Sequence, residues 1–226
     1  MEKQVTNRAK LYQLVLFPMN NGATNVYYIL TLNFIAYYAS GVLGLLVAFA
    51  TSMVTFMRLF DAVTDPIIGA LIDKTSTKFG KFRPFMLLGN LIMIVSAILL
   101  YFGTRLIPAD MTATKMVCFV LFYALYVIGY TFQTSVTRSG QTVLTNDPNQ
   151  RPLFTIFNTI GSMAGMGLMQ FLAPIIRANV ADYSSADFYR VLTPIGIVIS
   201  ILLTILAIIG IWEKDNSKYF GINTEK

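Results

Sequence analysis

Apolar residues form six long runs separated by short charged or turn-rich breaks, and each run is long enough to cross a bilayer. A hydrocarbon core roughly 30 Å thick takes about 20 residues of helix to span. The runs are Leu11–Ser40, Val42–Ile72, Pro84–Gly103, Met116–Thr145, Leu153–Ile176 and Val191–Trp212. The pattern therefore predicts an all-α integral membrane fold, a six-helix transmembrane bundle over residues 1–212 with a tail over 213–226. The first run is too long for a removable signal peptide and has no small-residue cleavage site after it, so it reads as a mature helix. Pro18, Pro66 and Pro174 are expected kink sites, because each removes one backbone hydrogen bond.

Polar residues inside the runs are not scattered. At helical spacing the first run carries Asn21, Thr24, Asn25, Tyr28 and Thr31, and the second carries Ser52, Thr55, Arg58, Asp61 and Asp65. The third has little beyond Asn90 and Ser96. The fourth repeats the stripe with Thr131, Thr134, Ser135, Arg138, Gln141, Thr142 and Thr145, the fifth with Thr155, Asn158, Thr159, Ser162 and Gln170, and the sixth is plain. Striped helices must face protein or an aqueous cavity, whereas plain ones can face lipid. Two striped spans and a plain one, twice over, is the pattern of a 3+3 inverted repeat around a polar cavity.

Composition agrees with a membrane setting. The 226 residues are 55% hydrophobic and 12% charged, against about 45–50% and 25% in soluble domains. A formal charge of +6 raises the question of nucleic acid, but the placement of the basic residues answers it. Lys3, Arg8, Lys10, Lys74, Lys78, Lys81, Arg83, Arg151, Lys214, Lys218 and Lys226 fall at one side of the membrane, and only Arg105, Lys115, Arg177 and Arg190 at the other. By the positive-inside rule both termini are cytoplasmic, in a cell (plasma or inner) membrane, and no nucleic-acid partner is implied. Trp212, Tyr101 and Tyr189 fit an interfacial aromatic belt. The single cysteine, Cys118, reads as a small buried hydrophobe, and no disulfide framework is available. With no histidine and no nucleophile–base or metalloprotease pattern, an enzyme is not indicated. Proton or cation chemistry must then use carboxylates.

Arg58, Asp61, Thr64 and Asp65 are the strongest constellation. Asp61 and Asp65 stack one turn apart on one helix face, with Arg58 one turn earlier. A charged residue at mid-membrane costs roughly 2.5–3.5 kcal/mol on insertion scales, so the group implies pairing or function. Pro66 leaves the Ala62 carbonyl without its usual helical partner. Carboxylates, that carbonyl and the Thr64 hydroxyl are hard oxygen ligands suited to Na⁺, and a protonated carboxylate does the same work for H⁺. The alternative is a structural ion pair of Arg58 with one acid. Arg138 lies about 13 Å deep, counted at about 1.5 Å per residue from Asp147. Its fork of donors suits sugar hydroxyls or carboxylates, with Asn25, Thr134 and Asn158 on the same cavity face, unless it instead bridges to Asp61 or Asp65. Gly161, Ala164 and Gly165 offer a surface for close helix packing. Tyr27 and Tyr28 are candidates for stacking on sugar faces, and Tyr37 and Tyr38 for anchoring at the interface.

The loop after the second run reads Gly69-Ala-Leu-Ile-Asp73-Lys74-Thr-Ser-Thr-Lys78-Phe-Gly80-Lys81-Phe-Arg83-Pro84. It resembles the cytoplasmic signature of major-facilitator transporters, which implies a conformational charge latch formed by Asp73, Lys74, Lys81 and Arg83. With Phe60-Asp61-Ala-Val-Thr64-Asp65-Pro66 before it, the block is similar to that of the glycoside-pentoside-hexuronide:cation symporters, which include the melibiose carriers. Weaker likeness runs from Gly22 through Tyr130-Thr131 to Trp212-Glu213. The resemblance implies a major-facilitator N-terminal bundle, a sugar or glycoside substrate, a coupling Na⁺ or H⁺ and no other cofactor. It implies a cation site at Asp61 and Asp65 with Thr64 and Thr131, and substrate contacts from Asn25, Arg58, Thr134, Arg138 and Asn158. Asn25 and Thr134 stand where melibiose-type carriers have aspartates, which argues for another glycoside, a pentoside or a hexuronide. Members of that family have two six-helix halves. This chain resembles the first, which leaves two expectations: a symporter half completed by a separately encoded C-terminal half or by a homodimer, or a truncated, non-transporting fragment or interaction partner.

Overall fold

In the computed structural model, residues 7–220 are described. Lys3 and Lys226, counted above among the basic residues, and the end of the tail lie outside the described residues. Among the described residues five helices have the length and apolar character to cross a membrane: α4 (Val47–Lys74), α5 (Arg83–Ile98, carried on by irregular turns to Leu106), α6 (Thr112–Leu144), α7 (Gln150–Asn179) and α8 (Ala186–Ile211). The first span is a composite. It runs through α1 (Leu11–Leu16), α2 (Met19–Tyr28), a π-helical turn at Ile29–Asn33, α3 (Ile35–Tyr37) and a second π-helical turn at Tyr38–Val42.

Of the expected proline kinks, Pro18 coincides with a break, between α1 and α2, whereas α4 and α7 continue as helix through Pro66 and Pro174. The fifth and sixth spans begin several residues earlier than the apolar runs suggested, because polar first turns are helical too. α8 starts at Ser185, whose hydroxyl accepts a hydrogen bond from the Asp187 N–H at 3.3 Å and so caps one orphan donor of the first turn.

Packing follows the inverted repeat. The first span packs on α7 and α8, and the fourth, α6, packs on α4 and α5, with α5 meeting α8 between them. Exchanging the two triplets of spans exchanges these contacts. The approach of α2 to α7 is backbone to backbone: a Cβ on Gly161 would lie 2.6 Å from the Pro18 carbonyl, and one on Gly22 would lie 2.7 Å from the Gly161 carbonyl. Of the three small residues expected to pack closely, Gly161 and Gly165 are buried, while Ala164 is exposed on the other side of α7.

The sixth span is less plain than its sequence suggested. Thr193, Ser200 and Thr204 are buried, and Asn90 of α5 donates to Ser200 Oγ at 2.9 Å and to Thr204 Oγ1. These groups turn inward to the α5–α8 contact, leaving Leu87, Leu91 and Val95 of α5, and Val198, Leu202 and Ile209 of α8, on the outside.

Tyr101 and Tyr189 do not form an interfacial belt. Both are fully buried with Tyr38, the Tyr101 and Tyr189 rings stacked at 4.8 Å. Their hydroxyls satisfy carbonyls of the irregular first span, Tyr101 donating to Leu30 O at 2.6 Å and Tyr189 to Phe34 O at 3.0 Å. π-helical turns disturb the regular hydrogen-bond ladder, so these phenols are held inside by backbone that water cannot reach. Tyr38 is likewise core, while Tyr37 and Trp212 are exposed. Cys118 is half-buried.

At the other end, residues 7–9 are strapped to the connection between α6 and α7. Asn7 donates to Val143 O at 2.9 Å, Ala9 N–H to Gln150 Oε1 at 2.8 Å, and Arg8 pairs with Asp147 at 2.6 Å. Both ends of the described chain and the α4–α5 and α6–α7 connections thus lie at one end of the bundle, as an even number of spans requires.

Candidate functional site

The α4–α6 contact builds the first half of the site. Thr131 of α6 is fully buried, and its hydroxyl lies 2.7 Å from Asp61 Oδ1 of α4 and 3.0 Å from the Val127 carbonyl one turn back on its own helix. Thr64 Oγ1 stands 3.5 Å from Thr131 Oγ1 and donates to the Asp61 carbonyl at 3.1 Å. Asp61, Thr64 and Thr131 therefore converge. Asp65 is half-buried one turn further on, within electrostatic range of both Asp61 and Arg138.

Neither arginine closes an ion pair with these acids. Among the described residues no ion pair within 4 Å involves Arg58, Arg138, Asp61 or Asp65. The structural ion pair of Arg58 and the bridge from Arg138 to an acid are thus both absent from this conformation. Both arginines are exposed on the bundle surface. A cleft beside the cluster is lined by Arg58, Asp61, Tyr28, Tyr123, Tyr126 and Tyr130 among others. The three α6 tyrosines were given no site role from sequence, although their spacing of three and four residues puts them on the helix face that carries Thr134. Tyr28 reaches this cleft, whereas its neighbour Tyr27 is buried in the core.

The second half lies across the first span. Asn25 donates to Asn21 O at 2.7 Å and Oδ1 at 3.0 Å, and Asn21 donates to Asn158 O of α7 at 3.3 Å. The Asn158 side-chain oxygen is buried without a hydrogen-bond partner. Thr134 donates back to its own helix, to Tyr130 O at 3.1 Å and Thr131 O at 3.2 Å. No hydrogen bond among the described residues joins Arg138 to Asn25, Thr134 or Asn158. The sequence grouped Asn25, Arg58, Thr134, Arg138 and Asn158 together; the fold holds Asn25 and Asn158 in an asparagine ladder on the α2–α7 contact and sets Arg58 among the tyrosines of the α4–α6 cleft, with Thr134 and Arg138 in neither group.

Of the residues expected in a latch, three make ion pairs, one of them with an acid the sequence reading missed. Lys81 pairs with Asp73 at 3.0 Å. Arg83 pairs at 3.2 Å not with Asp73 but with Asp215, just beyond α8. The Asp215 carboxylate is fully buried and accepts the N–H groups of Lys81 at 2.7 Å, Phe82 at 3.1 Å and Arg83 at 2.9 Å. It caps the N-terminus of α5, where unpaired amides and the helix dipole favour an anion. Gly80, at φ +100°, adopts a backbone conformation that suits glycine, and a Cβ there would also meet the Asp215 carbonyl at 2.7 Å. Arg83 further stacks 4.3 Å over the Trp212 ring, while Lys74 is exposed. The Trp-Glu-Lys-Asp run ending the sixth span was the available signal: an acid within four residues of a span's end can reach a neighbouring helix start.

Comparison with known proteins finds membrane transporters among the relatives of this chain. A lactose permease of Leuconostoc lactis is 25% identical over 230 residues, 95% of this chain and 36% of the permease. A protein named as a putative glycoside/cation symporter, YagG of Escherichia coli, is 30% identical over 150 residues, 65% of this chain and 32% of its own length. The symporter YjmB of Bacillus subtilis, described as uncharacterized, is 31% identical over 131 residues, 57% of this chain and 28% of its own length. These names describe transporters rather than enzymes, and the chain spans about a third of the length of the relatives it matches. Residues 17–223 match the profile of the family described as MFS/sugar transport protein, and with its all-α bundle of membrane-spanning helices the chain belongs to that family.

Proposed function

We propose that this chain is the six-helix bundle, residues 1–212 with its tail, of a cation-coupled sugar symporter in the cell membrane, with both termini cytoplasmic. The observation that carries the reading is the meeting of Asp61 with the Thr131 and Thr64 hydroxyls beside a tyrosine-lined cleft. The Thr131 hydroxyl has two acceptors in reach. Turning its proton to Val127 O frees its oxygen toward a cation at Asp61, with Asp65 as second carboxylate. One monovalent cation, Na⁺ or H⁺, then removes one of two negative charges, which lowers the desolvation cost of closing the cavity. With the cation bound, Arg58 and Arg138 leave these charged groups net positive, and this favours a sugar carrying a carboxylate over a neutral one.

Coupling needs a second bundle facing this one, either a separately encoded C-terminal half or a second copy. The apolar outer faces of α4 (Phe56, Leu59, Val63) and α7 (Ile156, Ile160, Met163) are available for it. In this reading the Asp73–Lys81 and Arg83–Asp215 pairs form the cytoplasmic latch, with Lys74 free to reach the facing bundle.

The test is uptake of labelled neutral glycosides and glucuronides into proteoliposomes under imposed Na⁺ or H⁺ gradients. Uptake should be lost in Asp61→Asn/Asp65→Asn, and half-maximal uptake should need about tenfold more cation in Thr131→Val, the equivalent of roughly 1.4 kcal/mol for one hydroxyl ligand. Gradient-independent uptake, or a Thr131→Val variant with unchanged cation dependence, would refute the cation assignment. No uptake from this chain alone, restored by a second bundle, would make it a half-transporter.

A further inference from the structure

The charge bias of the loops leaves four basic residues at the end of the bundle opposite the termini. Lys115 is buried with its ammonium toward the Leu43 carbonyl at 3.5 Å, and Arg177 pairs with Asp182 at 2.8 Å. The other two, Arg105 and Arg190, flank one groove. The irregular end of the third span, past Ile98, and the first turns of α8 enclose a cavity of about 420 Å³ lined by Ile98, Leu99, Phe102, Leu106 and the two arginines. Arg105 makes no hydrogen bond or ion pair among the described residues, and Arg190 is held only by the exposed Asp187 one turn before it, at 2.7 Å.

Further along the same α5–α8 seam a second cavity, of about 260 Å³, is lined by Leu91, Ile94, Ile201 and Ile205. From Phe102 back to Leu91 is about 16 Å at about 1.5 Å per residue, and one leaflet's share of the hydrocarbon core is about 15 Å. Two arginines at headgroup depth above an apolar seam one leaflet long have the dimensions and chemistry of a phospholipid with a negative headgroup. We propose that the α5–α8 seam is a binding site for an anionic phospholipid of the leaflet opposite the termini, its phosphate between Arg105 and Arg190 and one acyl chain along Leu99, Ile94 and Leu91. Arginine forks suit phosphate oxygens, and the seam lies on the outward side of the repeat, away from the Asp61 cleft, so the site is independent of the transport reading.

The experiment is thermal unfolding of the delipidated full chain in neutral detergent, titrated with phosphatidylglycerol, phosphatidylcholine, short-chain dihexanoyl phosphatidylglycerol or inorganic phosphate. Long-chain phosphatidylglycerol should stabilise saturably, and the other three should do so far less. Arg105→Gln/Arg190→Gln should weaken the apparent affinity about 25-fold, about fivefold per arginine. Arg105→Lys/Arg190→Lys should recover most of it, and Asp187→Asn, which removes the competitor for Arg190, should tighten it. Equal stabilisation by phosphatidylcholine, or by inorganic phosphate, would overturn the proposal, the latter assigning a free-anion site. An undiminished response of the double Gln variant would overturn it as well. Should that variant not fold, the comparison of the four additives on the unaltered chain still decides.

Discussion

Removing the Asp215 carboxylate should loosen the start of the third span. In Asp215→Ala three backbone N–H groups and one guanidinium lose their acceptor. Phe82 is 2% exposed, so its amide stays dry and bears the full cost of an unmade bond, about 1–3 kcal/mol. Lys81 and Arg83 are only half-buried, so water replaces part of what they lose, about 1 kcal/mol each. The total is about 3–5 kcal/mol, within the range for breaking a buried charge contact. Asp215→Asn keeps one acceptor oxygen without the charge and should cost about half as much. Cys118, the only cysteine and half-buried in α6, supplies the reporter: a fluorogenic maleimide reacts as the bundle opens on heating. The midpoint should fall in the order unaltered, Asn, Ala, with the last shift on the order of 10 °C. Hydrogen exchange at the Phe82 amide should accelerate in parallel. An Ala variant that unfolds within about 0.5 kcal/mol of the unaltered chain, the range of an ordinary surface substitution, would refute the capping role.

Three further outcomes follow from the packing. Gly165→Val drives a branched side chain into the Gly22 backbone and should destabilise by at least about 1–3 kcal/mol, measured by the same maleimide assay. Tyr101→Phe removes the hydroxyl that donates to the buried Leu30 carbonyl and should cost about 1–3 kcal/mol with insertion unchanged, whereas Tyr37→Phe, at an exposed ring, should cost almost nothing. The Asn149 N–H, then the Arg8 guanidinium, hold the Asp147 carboxyl below the usual carboxylate range. A depressed pKa contributes stability that is present above the unfolded value of about 3.9 and is lost as pH falls through the folded one. Asp147→Asn should therefore flatten the acid limb of the stability profile below about pH 4 and lower stability at neutral pH, which a pH series of unfolding midpoints checks.

The spans, the stripes and the sidedness of the loops were legible in the chain because each is a local property. A run of apolar residues must be helical in lipid, and a period of 3.6 puts Asp61 and Asp65 on one face whatever surrounds them. The block from Phe60 to Pro84 likewise carried the family likeness in contiguous residues. What the chain could not give by itself was partnership across large sequence separations. That Thr131 meets Asp61 rather than Asp65, that Arg83 finds Asp215 rather than Asp73, and that Arg58 and Arg138 make no ion pair among the described residues depend on how α4, α6 and α8 are set against one another. The tyrosines show the same limit. An aromatic near a helix end reads as an interfacial anchor, yet Tyr101 and Tyr189 turn inward, where their hydroxyls donate to the Leu30 and Phe34 carbonyls of the irregular first span. Periodicity determined which residues share a face; the close approach at Gly22, Gly161 and Gly165, and the pairing it forces on the remaining helices, decided what each face meets.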